Sequence, residues 1–395
     1  MSRTLKRYSA RPLGFERLAS RLCLAVEAVL DDDGVLTITG TPEDDAILIR
    51  DNREGEIIVE ARNLDDRFEP FAGVERIVVD TLEGDDTVRY HIRQSASVPA
   101  EFNLGEGADE LSTIVHAVRG DEADTAVDLS VNAGAGDDEV SVNVLLHRGR
   151  KFHDEAAASS LNFAADLGEG NDRLRVGVHG VAQASFDVTA GEGDDNVGIG
   201  TFVHAVQWVG DAVAASMLEV NADLGAGNDE LRIHGHGATE TTIDVAGGAD
   251  DDEVRISLLQ SALHWFRPTD SQASIDVDLG AGDDELSVSA LGVKNIDLGV
   301  LAGEGDDELR IGLLLPAIRP VEGSTANVDV DLGPGADRLA LKVRGYETVE
   351  TNVTGDEDEG DEVDLDTEPR PRPRPIPLPR PILPPRPEPP LRRGG

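Results

Sequence analysis

The residues with the clearest chemical content are aspartates placed at glycine-built bends. Eight segments fit Gly-x-Gly-x-Asp-x-(Leu/Val): GEGADEL at 105–111, GAGDDEV at 134–140, GEGNDRL at 168–174, GEGDDNV at 191–197, GAGNDEL at 225–231, GAGDDEL at 280–286, GEGDDEL at 303–309 and GPGADRL at 333–339. Three further copies depart from the pattern. GADDDEV (248–254) carries Asp250 where the second glycine belongs, LEGDDTV (82–88) lacks the first glycine, and TPEDDAI (41–47) lacks both. Glycine at the first and third positions permits positive φ and close backbone approach, so carbonyl oxygens can converge. The aspartate adds a hard anionic oxygen. Calcium accepts six to eight such oxygens in irregular geometry, whereas magnesium demands an octahedron and retains water. One turn offers too few ligands alone, so this chemistry needs turns of neighbouring repeats to share an ion. The competing reading is a sharp corner whose aspartate accepts its own backbone N–H groups.

The elements that must position these bends have period two. Ile275, Val277 and Leu279 alternate with Asp276 and Asp278 before one turn, and Leu286 and Val288 alternate with Ser287 and Ser289 after it. Leu174, Val176 and Val178 alternate with Arg175, Gly177 and His179 in another copy. That is the pattern of half-buried strands, and the glycine density excludes helix. From Gly168 on, a unit of about 23 residues alternates with one some ten residues longer, so the double repeat is about 56. The extra residues fall at 145–160, 200–218, 257–274 and 312–326, which hold Trp208 and Trp265, and repeats usually carry such insertions on one face. No single unit buries enough to fold alone, so stacking must supply the stability. The expected fold is all-β: a right-handed parallel β-helix or β-roll-like solenoid with Gly-Asp turns stacked along one edge. The alternative is antiparallel four-stranded repeats, as in a propeller or sandwich.

The phrase Leu279-Gly280-Ala281-Gly282-Asp283-Asp284-Glu285-Leu286-Ser287 resembles the nonapeptide of hemolysin-type (RTX) calcium-binding repeats, Gly-Gly-x-Gly-x-Asp-x-(Leu/Ile/Val/Phe)-x, at every position but the first. The likeness covers roughly residues 40–343. It implies calcium ions held between adjacent coils, with Asp109, Asp138, Asp172, Asp195, Asp229, Asp252, Asp284, Asp307 and Asp337 as metal-facing carboxylates beside the carbonyls of the turn glycines. Family repeats run in tandem every nine residues, two per coil; here one copy appears per 22–34 residues, with Leu or Ala usual in place of the leading glycine. The opening RPLGFERLASRLCLAVEAVL is also similar to the leader of some large exported bacterial proteins that carry such repeats.

Charge supports cation chemistry. Acids outnumber bases 78 to 35, a formal charge of −43. The bases gather at the ends: six lie within 1–21 and seven arginines within 369–395. The acidic body makes nucleic-acid binding an unsuitable role, because non-specific binding there rests on Lys and Arg. Carboxylates stacked ~5 Å apart repel by almost 1 kcal/mol per pair even in water, a penalty that divalent cations remove.

Five regions follow from composition. Residues 1–24 form a basic leader, read either as an export signal or as an amphipathic helix with Leu18, Leu22, Ala25 and Val29 on one side. Residues 25–99 read as degenerate β repeats forming an N-terminal cap, 100–345 as the solenoid, and 346–368 as an acidic linker with no means of packing. Residues 369–395 read as a Pro/Arg-rich extended tail of polyproline II type. No run is long and apolar enough for a spanning helix. Cys23 stands alone, which excludes a disulfide framework.

Other candidates weigh less. His234 and His236 project to one strand face, and His116, His147, His179 and His204 follow turns at strand ends, where outer polar positions account for them. Trp208, Trp265 and Phe266 fit packing of the insertions against the stack. No nucleophile–base pair can be assigned. The expected function is a calcium-binding structural or interaction repeat protein, not an enzyme, located outside the cell or at its surface. Its partners would be calcium, cell-envelope polymers or other surface proteins. The alternatives are a carbohydrate-active lyase- or hydrolase-like β-helix and a metal-independent adhesin-like repeat.

Overall fold

A computed structural model describes residues 26–367, apart from residue 53 and the segments 62–67, 94–97, 119–124, 148–158, 203–215, 261–269, 317–320 and 356–359. The leader with Cys23, His204, both tryptophans, Phe266 and the Pro/Arg tail lie outside the described residues.

The strands are β1 (Glu27–Leu30), β2 (Val35–Thr39), β3 (Ala46–Asp51), β4 (Ile57–Ala61), β5 (Arg76–Asp80), β6 (Thr87–Ile92), β7 (Ala100–Glu106), β8 (Glu110–Val118) and β9 (Thr125–Ala135). There follow β10 (Glu139–His147), β11 (Ser159–Glu169), β12 (Arg173–His179), β13 (Gln183–Glu192), β14 (Asn196–Phe202), β15 (Met217–Ala226), β16 (Glu230–His236), β17 (Glu240–Ala249) and β18 (Glu253–Leu259). The series closes with β19 (Gln272–Ala281), β20 (Glu285–Leu291), β21 (Asn295–Leu301), β22 (Glu308–Leu314), β23 (Val321–Asp331), β24 (Arg338–Arg344), β25 (Tyr346–Thr354) and β26 (Glu362–Asp366).

These strands form two 13-stranded sheets. From β7 onward the odd-numbered strands make the first sheet and the even-numbered strands the second, so each coil contributes one strand to each. Every described strand pairing is parallel except β1 with β2 and β3 with β4, both at the N-terminal end, where an isolated antiparallel bridge also joins Ile57 to Phe71. The chain is therefore a parallel β-solenoid, and the antiparallel propeller or sandwich is set aside. Parallel pairing follows from the alternation: only equivalent strands one coil apart bring identical inward sets into register.

Between the sheets the inward aliphatic residues stack into columns. Ile243, Ile275 and Leu298 align in one, and Val245, Val277 and Val300 in the next, all buried. Phe163 sits beside Phe186 one coil on, with ring centroids 6.4 Å apart. Where Gly235 interrupts the inner row, Leu218 and Leu258 fill the space; a Cβ there would meet both at 2.8 Å.

The two edges differ. Each Gly-Asp turn carries the chain from the first sheet to the second. Each return connection carries it back, and from β10 the returns alternate between long stretches and short ones at 180–182, 237–239, 292–294 and 345. The four expected insertions all belong to this return edge. There a buried serine in each longer coil, Ser159, Ser216, Ser271 or Ser324, accepts a backbone N–H from the coil that follows, as from Thr239 to Ser216 Oγ at 3.0 Å.

One expected boundary moves. Within 25–99, the stretch expected as degenerate repeats and a cap, β2, β3, β5 and β6 are coils of the same sheets, closed off by the antiparallel β1 and β4. The segment expected as an acidic linker, 346–368, instead carries β25 and β26, which pair with β23 and β24 in register. A strand added to a preformed ladder needs hydrogen-bonding register more than apolar side chains. Val363 and Leu365, opposite core residues Leu339 and Leu341, stay 42% and 47% exposed because no further described coil covers them.

Candidate functional site, a buried aspartate rail

All nine aspartates expected to face metal lie on the turn edge, and all are buried: Asp109, Asp138, Asp172, Asp195, Asp229, Asp252, Asp284, Asp307 and Asp337. They form one continuous rail. Each Oδ1 accepts the backbone N–H of the equivalent aspartate one coil earlier, at 2.7–2.9 Å from Asp109 through Asp337. The carbonyl of the same aspartate accepts the N–H that opens the next coil's second-sheet strand, as from Glu308 to Asp284 at 2.8 Å. The carboxylate thus serves the neighbouring coil's amide rather than amides of its own turn.

The rail extends past the expected set. Asp45 donates its N–H to Asp86 Oδ1, Asp86 to Asp109 Oδ1, and Asp337 to Asp361 Oδ1 at 3.3 Å. The signal for these three was present in the phase of Asp45-Ala46-Ile47, Asp86-Thr87-Val88 and Asp361-Glu362-Val363, but the missing glycines masked it.

A second ladder runs beside the first with opposite sense. Where the residue before a rail aspartate carries a side-chain acceptor, that acceptor takes an N–H from the following coil: Asp283 Oδ1 from Asp306 at 2.8 Å, and Asp251 Oδ1 from Asp283 at 2.7 Å; Ala108 and Ala336 only donate. Asn171 and Asn228 substitute for aspartate within it because an amide oxygen accepts equally well.

The glycines are required by stacking. At Gly136 (φ +137°) a Cβ would lie 1.8 Å from the carbonyl oxygen of Gly107 beneath it, and at Gly305 the same distance from that of Gly282. Each coil's turn carbonyls therefore point along the stack at the next coil's glycine. The two described non-glycine residues with positive φ are Leu82 (79°) and Asp250 (77°), which stand where degenerate copies lack glycine. The turn keeps its backbone even there, at a strain cost that ordinary side chains avoid.

The second carboxylate oxygen gives the rail its chemistry. From Asp109 to Asp307, eight Oδ2 atoms are buried and accept no hydrogen bond. At one of them, Asp252, Oδ2 lies 2.8 Å from where a Cβ of Gly247 would be. The first coil differs. There Thr41 donates both its N–H (2.6 Å) and its hydroxyl (3.0 Å) to Asp45 Oδ2. A buried acceptor without a donor is costly, and eight in a row in one environment call for a common partner.

Burial accordingly pushes these acids up, to about 7 for Asp138, Asp229, Asp252 and Asp307 and to about 6 for Asp109, Asp172, Asp195 and Asp284. The neighbouring coil's amide pulls each back toward the charged form, and nearby aspartates raise it again. Near neutral pH each turn can hold either a proton or a share of a cation. Among the described residues no group of three or more His, Cys, Asp or Glu side chains gathers for a metal. A bound ion would therefore draw on Asp Oδ2 together with turn carbonyls. The oxygen-only donor set and the orphaned acceptors fit calcium.

The histidine candidates lie elsewhere. His179, Phe202 and His236 stack along the outer face of the second sheet, with centroids 5.8 and 4.3 Å apart, and His234 is exposed on the same face. Comparison with family models, with curated proteins and with solved structures finds no match to this chain. No helix among the described residues is long and apolar enough to cross a membrane.

Proposed function

We propose that the chain is a calcium-stabilised structural repeat protein of the hemolysin-type kind, a rigid acidic rod that works outside the cell or at its surface and has no catalytic role. The observation that supports this most is the run of eight buried Oδ2 atoms without hydrogen-bond donors, on the same edge as turn glycines that face the carbonyls of the coil before. Calcium supplies a divalent charge that satisfies these oxygens and offsets the repulsion between coils. The outside of the cell suits the reading, because extracellular modules bind calcium at about 10⁻⁴–10⁻³ M and the ion is plentiful there. A rod of this kind presents its two outer faces to envelope polymers or other surface proteins.

A metal-independent scaffold is the second reading. It is favoured by Oδ1, which already ties each coil to the one before it. Isothermal titration of the full chain with calcium, alongside circular dichroism in chelator and in excess calcium, separates the two. Several ions per chain, near one per adjacent coil pair, with strand signal gained on calcium addition, is the expected result. No binding heat and an unchanged spectrum would leave the second reading in place.

A further inference from the structure

The two outer faces of the solenoid differ in charge. No strand of the first sheet from β7 to β25 contains a lysine or arginine. On the second sheet, by contrast, Arg255 pairs with Glu230 at 3.2 Å and Arg310 with Glu285 at 2.5 Å. The first face is also concave. A groove of about 860 Å³ runs across it from β13 to β25, lined by carboxylates including Asp244, Asp276 and Asp329, with Leu301 51% exposed among them.

We propose that this groove is the docking surface for the chain's own arginine-rich C-terminal segment, residues 369–395. Charge complementarity is the first ground: that segment holds seven arginines and one acid. The second is where the described chain ends. Thr367 follows β26 at the return edge, the corner from which every earlier coil passes back to the first sheet. Proline-rich sequence cannot add another ladder strand there, because proline lacks the N–H. The third is reach. The groove crosses seven strands, about 29 Å at ~4.8 Å per strand, whereas the residues beyond Thr367 span up to ~87 Å at ~3.1 Å each in polyproline II form.

Spacing is the fourth ground. Arg374, Arg380, Arg386 and Arg392 recur every six residues, a whole number of three-residue polyproline II turns. All four would face one side at intervals of ~19 Å. On the sheet, Asp166, Asp223, Asp278 and Asp331 occupy one outer row at every second strand, ~10 Å apart, with Thr189, Ala246 and Leu301 between them. Within the groove, Asp223 and Asp331 stand four strands or ~19 Å apart and match one arginine interval. The prolines and Ile376, Leu378, Ile382 and Leu383 of the segment suit the apolar patch at Leu301.

Carbodiimide cross-linking of the full chain tests this, in calcium-containing buffer so that the rod is folded whichever reading of the rail holds. An Arg380→Lys variant supplies an amine for zero-length coupling to carboxylates, and a mixture of light and heavy chains separates links within a chain from links between chains. Within-chain links from position 380 to the groove aspartates are expected. They should fall about tenfold in molar salt, where screening acts within ~3 Å, and by a similar factor in a background of Asp223→Asn, Asp278→Asn and Asp331→Asn. Those three side chains are exposed, so the background should fold, and circular dichroism checks it. Links concentrated on residues 355–366, on the second sheet, or only between chains would overturn the proposal.

Discussion

The backbone N–H of Asp284 donates to Oδ1 of Asp307, 2.9 Å away and one coil further along. Beside it the sense reverses, since Asp306 donates back to Asp283. Adjacent coils are thus held by two carboxylates that each reach for the other coil's amide. Neither ladder uses Oδ2 of the buried row, which is left for a proton or a cation.

The two oxygens of one rail aspartate can be separated by mutation. Asp229→Ala removes the acceptor for the buried N–H of Asp195 and should cost about 1–3 kcal/mol with or without calcium. Asp229→Asn keeps an acceptor but removes the charge. It should leave the calcium-free protein nearly unchanged and reduce the stabilisation that calcium adds. Thermal melts of both variants in chelator and in calcium give the comparison; equal losses for Asn in the two conditions would contradict the assignment of Oδ2 to the ion.

The rail also sets an unusual pH dependence. The eight acids from Asp109 to Asp307 sit near 6 to 7 when folded, above an ordinary value of 3.8, so the folded state binds their protons more tightly than the unfolded chain. Their contribution is fully present below about pH 4 and is lost as pH rises through 6 to 7. Calcium-free protein should therefore be more stable at pH 5 than at pH 8, and millimolar calcium should flatten or reverse that slope. Denaturant midpoints at the two pH values, with and without calcium, check it.

Glycine at the third position of the turn should be irreplaceable. Gly136→Ala brings a Cβ to 1.8 Å from the Gly107 carbonyl at φ +137° and should cost at least ~3 kcal/mol. Gly73→Ala is the control: its φ is +77° but nothing lies within 4 Å, so the cost should stay near 1 kcal/mol. Urea unfolding of both variants measures the difference.

The return edge should be independent of calcium. Ser216→Ala removes the acceptor for the Thr239 N–H at 3.0 Å and the donor to Gly237 O at 3.3 Å. A loss of about 1–2 kcal/mol is expected, the same in chelator and in calcium. A calcium-dependent loss would place ion binding on both edges.

Much of this was legible in one dimension. Period two in Ile275–Leu279 and Leu286–Val288 determined strands with one buried face, and the recurrence of Gly-x-Gly-x-Asp determined that identical bends would stack. Those are local properties, fixed by side-chain alternation and backbone sterics. Tertiary structure decided what locality cannot carry. Parallel pairing put Asp284 next to Asp307 rather than beside a strand of its own hairpin, so its carboxylate serves a neighbour's amide. The ladder likewise drew Glu362–Asp366 into the second sheet despite its charge, because a waiting edge of N–H and C=O groups outweighs the repulsion of exposed acids. Asp45, Asp86 and Asp361 joined the rail for the same reason: their place in the stack, and not their glycines, aligned them.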